Sequence, residues 1–408
     1  MNRVIKNITQ LVTCSGFSAK HGKEMSDLGI IENGMVVITD GIISYVGKNQ
    51  DSILDAQSPT HEIIDASGKA VLPGFIDSHT HLVFGGYREE EFSWRMKGDS
   101  YMSIMNRGGG IYSTVNATRE ASFEELKQAA KIRLDKMLAM GITTVEGKSG
   151  YGLDKETELK QLRVMKELNK EHPVDIVPTF LGAHAVPKGY NEREYIDFML
   201  KEVMPRIKEE NLAECCDIFC EKDVFSTEAS RYYLKKSATM GFGLKIHADE
   251  IVNTGGAELA AEVKALSADH LLQASEKGIR ALANSQTVAT LLPNTAFTLK
   301  EGFAKGREMI DAGCAVALAT DLNPGSSFTS SIPLTIALAC IYMKLSPEEA
   351  VTALTINAAA ALGREKSIGS IDVGKKGHLI MLEFPSYKFL PYHAGMNCVE
   401  RVFLGAQP

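Results

Sequence analysis

What this chain has little of narrows its class before any motif is considered. No apolar run approaches the ~20 residues needed to cross a bilayer; the longest, Ile332 to Met343, is interrupted by Pro333. The opening stretch MNRVIKNITQ has no apolar core of the secretory kind, so a cytoplasmic protein is expected. Seven cysteines, at 14, 215, 216, 220, 314, 340 and 398, are odd in number and contain no CxxC pair, which argues against a disulfide framework or a zinc ribbon. Lys and Arg are scattered, and a net charge of -7 leaves no broad basic face for nucleic acid. The glycines of Gly108-Gly109-Gly110 follow no strand and lack the Lys-Ser/Thr of a phosphate loop. Neither a nucleic acid nor a membrane is expected as a partner, which leaves a small molecule.

What is present is the composition of a folded protein, 44% apolar and 23% charged, in 408 residues. That length suits a barrel of ~250 residues plus a smaller domain. The two ends share one texture. Met35 to Thr39 and Ile42 to Val46 are β-rich and joined by Asp40-Gly41, a hairpin signal, and glycines at 369, 374 and 377 punctuate Ile368 to Leu382. The spacing predicts a small β-sandwich assembled from residues 1–70 and 363–408.

Between them the pattern changes to alternating helix and strand. Ser122 and Glu125 form a capping box, Phe123, Leu126, Ala130, Leu134, Met137 and Leu138 keep a helical period, and Gly141 stops the helix before a strand at Ile142 to Val145. The same order recurs at Gly241 before Leu244 to His247 and at Gly313 before Ala315 to Thr320. Val71 to Ile76, Asp175 to Leu181, Asp217 to Cys220, Ala265 to Ala268 and Thr287 to Leu292 bring the strand count to eight. The expected fold is therefore α/β, a (β/α)8 TIM-like barrel over residues 71–362. Ser346, Pro347 and Glu349 open a last helix expected to run to about Gly363.

Polar residues interrupt the apolar strands at their C-terminal ends, where barrel enzymes keep their sites. These are Asp77, His79 and His81 after the first strand, His184 after the third, His247 after the fifth, His270 after the sixth and Asp321 after the eighth. Two residues apart on extended backbone, His79 and His81 point to the same side and can share an ion. His247 and Asp321 would complete a nitrogen and oxygen set suited to zinc or iron. Glu250, three residues past His247, reaches the barrel mouth. Arg88 follows the HxH loop and offers a bidentate fork to a carboxylate, its alternative being an ion pair with Glu89, Glu90 or Glu91. Asn323-Pro324-Gly325-Ser326-Ser327 is expected to expose backbone N–H groups at a helix start. The histidines at 21, 61, 172, 378 and 393 fall away from strand ends and receive no role.

The run Leu72-Pro73-Gly74-Phe75-Ile76-Asp77-Ser78-His79-Thr80-His81, with Asp321, resembles the amidohydrolase superfamily. Five further segments are similar to those superfamily members that open an imidazolone ring in histidine degradation. They are Gly108 to Ile111, Lys148 to Leu153, Phe180 to Pro187, His247 to Glu250 and Asp321 to Ser326. The resemblance implies hydrolysis of 4-imidazolone-5-propanoate to N-formimidoyl-L-glutamate by a metal-activated water. It implies one divalent or trivalent ion per subunit, zinc or iron, on His79, His81, His247 and Asp321. It implies substrate contacts from Arg88, Tyr151, His184, Glu250, Asn323, Gly325 and Ser326; for the hydrolysis itself, Glu250 and Asp321 are expected to move the proton, and His270 to hold the attacking water or the tetrahedral oxygen. The substrate is a small molecule bearing a carboxylate, and a homodimer is expected by analogy.

Three alternatives bear on this reading. A deaminase of a purine or pterin ring would use the same ligands but would not need Arg88 and Tyr151. A non-catalytic binding barrel would lack ligands that are present here. Some relatives bridge two ions with a lysine at the end of strand 4, and Lys222 lies near that point. Gly147, Asn294 and Gly377-His378 depart from the usual pattern and touch no proposed ligand.

Overall fold

The computed structural model describes residues 2–50, 61–99, 103 and 107–405. The N-terminal end supplies Arg3–Val12 (β1), Ile30–Thr39 (β2), Ile42–Lys48 (β3), Glu62–Asp65 (β4) and Ala70–Pro73 (β5). At the expected hairpin, Asp40 and Gly41 both take left-handed backbone, φ 50° and 80°, so β2 and β3 pair directly from Thr39↔Ile42 onward.

Eight parallel strands follow: Phe75–Asp77 (β6), Ile142–Lys148 (β7), Asp175–Ala183 (β8), Cys215–Cys220 (β9), Gly243–Ala248 (β10), Ser267–His270 (β11), Val288–Leu291 (β12) and Val316–Leu318 (β13). They hydrogen-bond in chain order. The first and last meet just beyond their ends, where Thr80 and Leu322 form a parallel bridge and Asp321 N donates to His79 O at 3.1 Å. The barrel expected from the alternating pattern is present. Its punctuation also holds: Ser122 and Glu125 make a reciprocal capping box on the helix Phe123–Ala139, and Gly141 turns at φ 87° into β7.

The C-terminal end adds Leu379–Leu382 (β14) and Val399–Phe403 (β15) to the first group, giving one seven-stranded sheet ordered β15-β14-β5-β1-β2-β3 with β4 beside β1. A bulge in β1 between Ile5 and Ile8 bends the sheet, and Ile5, Ile8, Leu11, Val36, Ile38, Val71, Leu379 and Phe403 form its buried core. Among the described residues no helix is long and apolar enough to cross a membrane.

Two expected elements are each divided. The single strand anticipated at Val71 to Ile76 is two: β5 pairs antiparallel with β14, whereas β6 pairs parallel with β7, and the chain changes sheets at Gly74. The last helix, capped by Ser346 and Glu349 as anticipated, stops at Ala353 and resumes over Ile356–Ala361. The break has a use, since the Leu354 carbonyl accepts the Ile76 amide at 2.9 Å and ties the helix to the first barrel strand.

Gly74 is where the chain passes from one sheet to the other, tight against Thr143. A Cβ there would meet Thr143 side-chain atoms at 2.4–3.0 Å. Gly74→Ala is expected to lower unfolding free energy by about 1–3 kcal/mol through overpacking, measured by denaturant titration; unchanged stability would show that the junction relaxes freely.

Candidate metal and active site

The closure of the barrel also assembles the site. Beyond β6 the chain stays extended, so His79 and His81 both turn inward, almost wholly buried, with ring centroids 5.5 Å apart. His247 from β10 brings its ring to 4.6 Å from that of His79. Asp321, just past β13, places Oδ1 3.5 Å from His79 Nε2 and 3.6 Å from His81 Nε2. His270, at the end of β11, lies 5.1 Å ring to ring from His247. Two triads of donor atoms within 4.8 Å of one another result, His79/His81/Asp321 and His79/His247/His270, and they share His79.

Among the described residues, His79 Nε2, His247 Nε2 and Asp321 Oδ1 are buried without a hydrogen-bond partner. Orphaned buried polar atoms are costly, and three in one cage call for a shared partner. Burial, reinforced by neighbouring positive groups, drives His79, His81 and His270 well below the ordinary imidazole pKa. Burial likewise pushes His184 down to about 3. At His247 burial acts downward too, but the charge and hydrogen bond of Asp217 outweigh it and the net shift is upward. Burial raises Asp321 to about 6, and burial together with Asp321 raises Glu250 to about 8. Imidazole nitrogens beside one carboxylate make a donor set that fits zinc or iron, and burial favours the neutral form at His79, His81 and His270.

Behind the cage stand carboxylates that the sequence did not single out. Asp269 Oδ2 lies 2.6 Å from His79 Nδ1, and Asp217 Oδ2 lies 2.9 Å from His247 Nδ1. The first is a hydrogen bond that turns His79 Nε2 toward the cage, and the second sets a carboxylate charge against the outer nitrogen of His247. Thr295 donates to Asp321 Oδ2 at 2.6 Å. A further cluster of potential ligand atoms, His79, Glu146 and Asp269, is already filled: Lys148 Nζ lies 2.9 Å from Glu146 and 3.5 Å from Asp269. The only sequence signal for this layer was charged residues inside otherwise apolar strands.

On the substrate side, Arg88 forms the anticipated alternative ion pair. Its Nε and Nη2 donate to Glu91 Oε2 at 2.9 and 2.8 Å, and Glu91 also accepts the Gly110 amide. The remaining Nη1 lies over Gly325, where a Cβ would come within 2.3 Å of it. The Asn323 turn differs from expectation. Asn323 Oδ1 accepts the amides of Gly325 and Ser326, both at 2.8 Å, so those N–H groups are satisfied internally; the next helix begins only at Ile332. Asn323 Nδ2 instead donates to the Asp321 carbonyl and braces that ligand from behind.

Tyr151 and His184 stand beside His81, at ring distances of 5.6 and 4.9 Å. Buried Glu158, another residue without a sequence signal, holds the Tyr151 loop by accepting the amides of Gly150, Gly152 and Leu153 at 2.8–3.0 Å. Glu250 Oε1 is 3.6 Å from His270 Nδ1, and Glu221 supports the following turn by accepting the Ile251 amide at 2.8 Å. Lys222 is exposed. His172 and His378 sit near Asp135 and Asp175, away from the cage. The departures at Gly147, Asn294 and Gly377 are matters of packing: a Cβ at Gly147 would press on Met165, Asn294 donates to Thr335, and a Cβ at Gly377 would press on Ile38.

Two amidohydrolase family models match the chain, at residues 62–109 and 234–407. An imidazolonepropionase of Clostridium tetani is 61% identical across 98% of this chain and 96% of its own. One of Bacteroides thetaiotaomicron is 63% identical across 99% and 98%. Among solved structures, a zinc-bound adenosine deaminase of Xanthomonas campestris shares the fold with a TM-score of 0.74 at 17% identity, covering 99% of this chain and 92% of that one. A guanine deaminase of E. coli shares it with a TM-score of 0.72 at 15% identity, covering 100% and 98%.

Glu158→Gln would turn an amide NH2 toward backbone donors that need an acceptor. A loss of about 1–3 kcal/mol in denaturant titrations is expected, and a neutral result would mean that the Tyr151 loop does not depend on this carboxylate.

Proposed function

The chain belongs to the imidazolonepropionase family of amidohydrolases, and we propose that the histidine cage is where it opens the five-membered ring of 4-imidazolone-5-propanoate with water. The product is N-formimidoyl-L-glutamate, formed in histidine degradation. One observation carries the reading: in a chain so similar to imidazolonepropionases, His79, His81, His247, His270 and Asp321 cluster at one end of the barrel, and His79 Nε2, His247 Nε2 and Asp321 Oδ1 are buried there without a hydrogen-bond partner. In this reading β6 to β13 form the catalytic barrel, and β1 to β5 with β14 and β15 form the module that braces it, the boundary falling at Gly74 rather than at residue 71.

His79, His81, His247 and Asp321 would hold one zinc or iron ion, which when bound supplies Lewis acidity, polarising a carbonyl oxygen and lowering the pKa of water toward ~7. Water oxygen adds to the ring carbonyl carbon, the bond from that carbon to the ring nitrogen breaks, and the carbonyl becomes a carboxylate. Glu250 takes the water proton and delivers it to the departing nitrogen, a transfer suited to a carboxyl raised to about 8 by burial and by Asp321. Asp321 assists as a nearby acceptor. His270, 3.6 Å from Glu250, hydrogen-bonds the tetrahedral oxygen. His184 orients the ring, its Nδ1 held 3.0 Å from the Gly150 carbonyl so that Nε2 is left for the substrate.

Arg88 anchors the propanoate with the edge of its guanidinium that Glu91 leaves over. Tyr151, Gly325 and Ser326 shape that end of the pocket, and Asn323 holds their turn rigid. Fixing the carboxylate at a set distance from the cage makes the attack effectively intramolecular.

The direct test is to incubate the purified protein with freshly generated 4-imidazolone-5-propanoate and follow the loss of its ultraviolet absorbance. Turnover abolished by chelator and restored by zinc or iron is expected; no turnover with the metal-loaded protein would reject the assignment. Below the pKa of Glu250 the base is protonated, so kcat/KM should fall on the acid side with a midpoint above the ordinary carboxylate value of ~4.3. Glu250→Gln should remove that limb and lower kcat by roughly 10² or more. Arg88→Lys should act mainly by raising KM, since a lysine cannot keep both the Glu91 pair and a forked contact; steady-state kinetics with unchanged KM would release Arg88 from the carboxylate.

A further inference from the structure

Beneath the cage lies a sealed layer of charge that the mechanism above does not use. Glu146 and Lys148 on β7, Asp217 on β9, Lys245 on β10 and Asp269 on β11 all have fully buried side chains. Ionisable groups are almost never buried so completely unless paired, and an unpaired one would cost several kcal/mol. Three carboxylates face two ammonium groups, which leaves one negative charge directly behind the histidines.

The two lysines have different connections. Lys245 Nζ donates to Glu146 Oε2 and to the Ser78 carbonyl, both at 3.0 Å, and so braces the backbone just before His79. Lys148 Nζ instead joins carboxylates from separate strands. It lies 2.7 Å from Asp217 Oδ2, 2.9 Å from Glu146 Oε2 and 3.5 Å from Asp269 Oδ2. The Asp217 and Asp269 oxygens that it meets are the same Oδ2 atoms that face His247 Nδ1 and His79 Nδ1. One ammonium group is therefore the hub of two carboxylate–histidine pairs.

We propose that Lys148 is the positioning residue of the metal cage: by bridging Asp217 and Asp269 it holds His247 and His79 with Nδ1 protonated and Nε2 turned inward before any ion arrives. This rests on the reading of the cage as a metal site. In this layer each aspartate serves an ammonium and an imidazole with a single oxygen. Without the ammonium, Asp217 and Asp269 would repel each other across the barrel, and the histidines would lose a fixed tautomer. The ligands would then have to be ordered at the expense of metal affinity.

The test compares wild type, Lys148→Met and Asp217→Asn as full-length proteins, checked for folding by circular dichroism. Zinc affinity is measured by competition with a chromophoric chelator, and ligand geometry by the visible spectrum after cobalt(II) substitution. Lys148→Met should weaken zinc binding by ~10- to 100-fold and alter the cobalt spectrum. Its effect should be less than additive with that of Asp217→Asn, because both break the same chain of contacts. Wild-type affinity and an unchanged cobalt spectrum in a folded Lys148→Met protein would overturn the proposal while leaving the metal site intact. If wild type itself binds neither zinc nor cobalt, the metal reading fails instead, and the proposal with it. Should Lys148→Met not fold, nitrogen NMR of the metal-free wild type decides: His79 and His247 are expected in the Nδ1–H tautomer, and the Nε2–H tautomer or exchange between the two would overturn the inference.

Discussion

Asp77 and Thr320 are 243 positions apart, and the two hydrogen bonds between them hold the barrel shut at the level where its site is built. The Asp77 carboxyl accepts the Thr320 amide at 2.9 Å and its hydroxyl at 2.6 Å, and burial raises its pKa to about 7. His79 and His81 follow Asp77 by two and four residues and Asp321 follows Thr320 directly, so closure of the seam fixes the distance between the metal-binding groups. A barrel left open at this seam would still have eight strands and a core, but Asp321 would not face the imidazoles.

Around that seam the interior is layered by polarity. The lower layer holds paired charges, and the upper layer holds imidazoles, of which burial keeps His79, His81, His184 and His270 neutral. Each layer explains the other. Neutral imidazoles crowded together leave acceptor atoms unsatisfied, which suits a cation, and the excess negative charge below favours one electrostatically. Buried ion pairs are in general no more stabilising than an apolar filling of the same volume. The retained charges are better understood as fixing orientation than as contributing stability.

The loops that carry substrate-facing residues share one construction. Glu158 accepts three amides of the Tyr151 loop, Glu221 accepts amides just past Glu250, and Glu91 links Arg88 to the Gly110 amide. Asn323 does the same for the turn beyond Asp321. Loops normally satisfy their backbone with water. Here side-chain acceptors take several of those amides, which ties the loops down around the site.

Local rules in the chain determined much of this. Period-two spacing put His79 and His81 on one face, capping residues and glycines marked helix ends, and polar breaks in apolar strands marked the rim where His184, His247, His270 and Asp321 meet. These signals are legible because each depends on residues within about one turn or one strand of each other. Only the tertiary structure decided that Val71 to Ile76 divides between two sheets at Gly74, that Asn323 consumes the amides of its own turn, and that Arg88 is held by Glu91 rather than by Glu89 or Glu90. It alone brought Lys148, Asp217 and Asp269 together behind the histidines. Charges in separate strands have no periodicity that relates them, and whether a buried charge is paired depends on a partner whose distance along the chain carries no information about its distance in space.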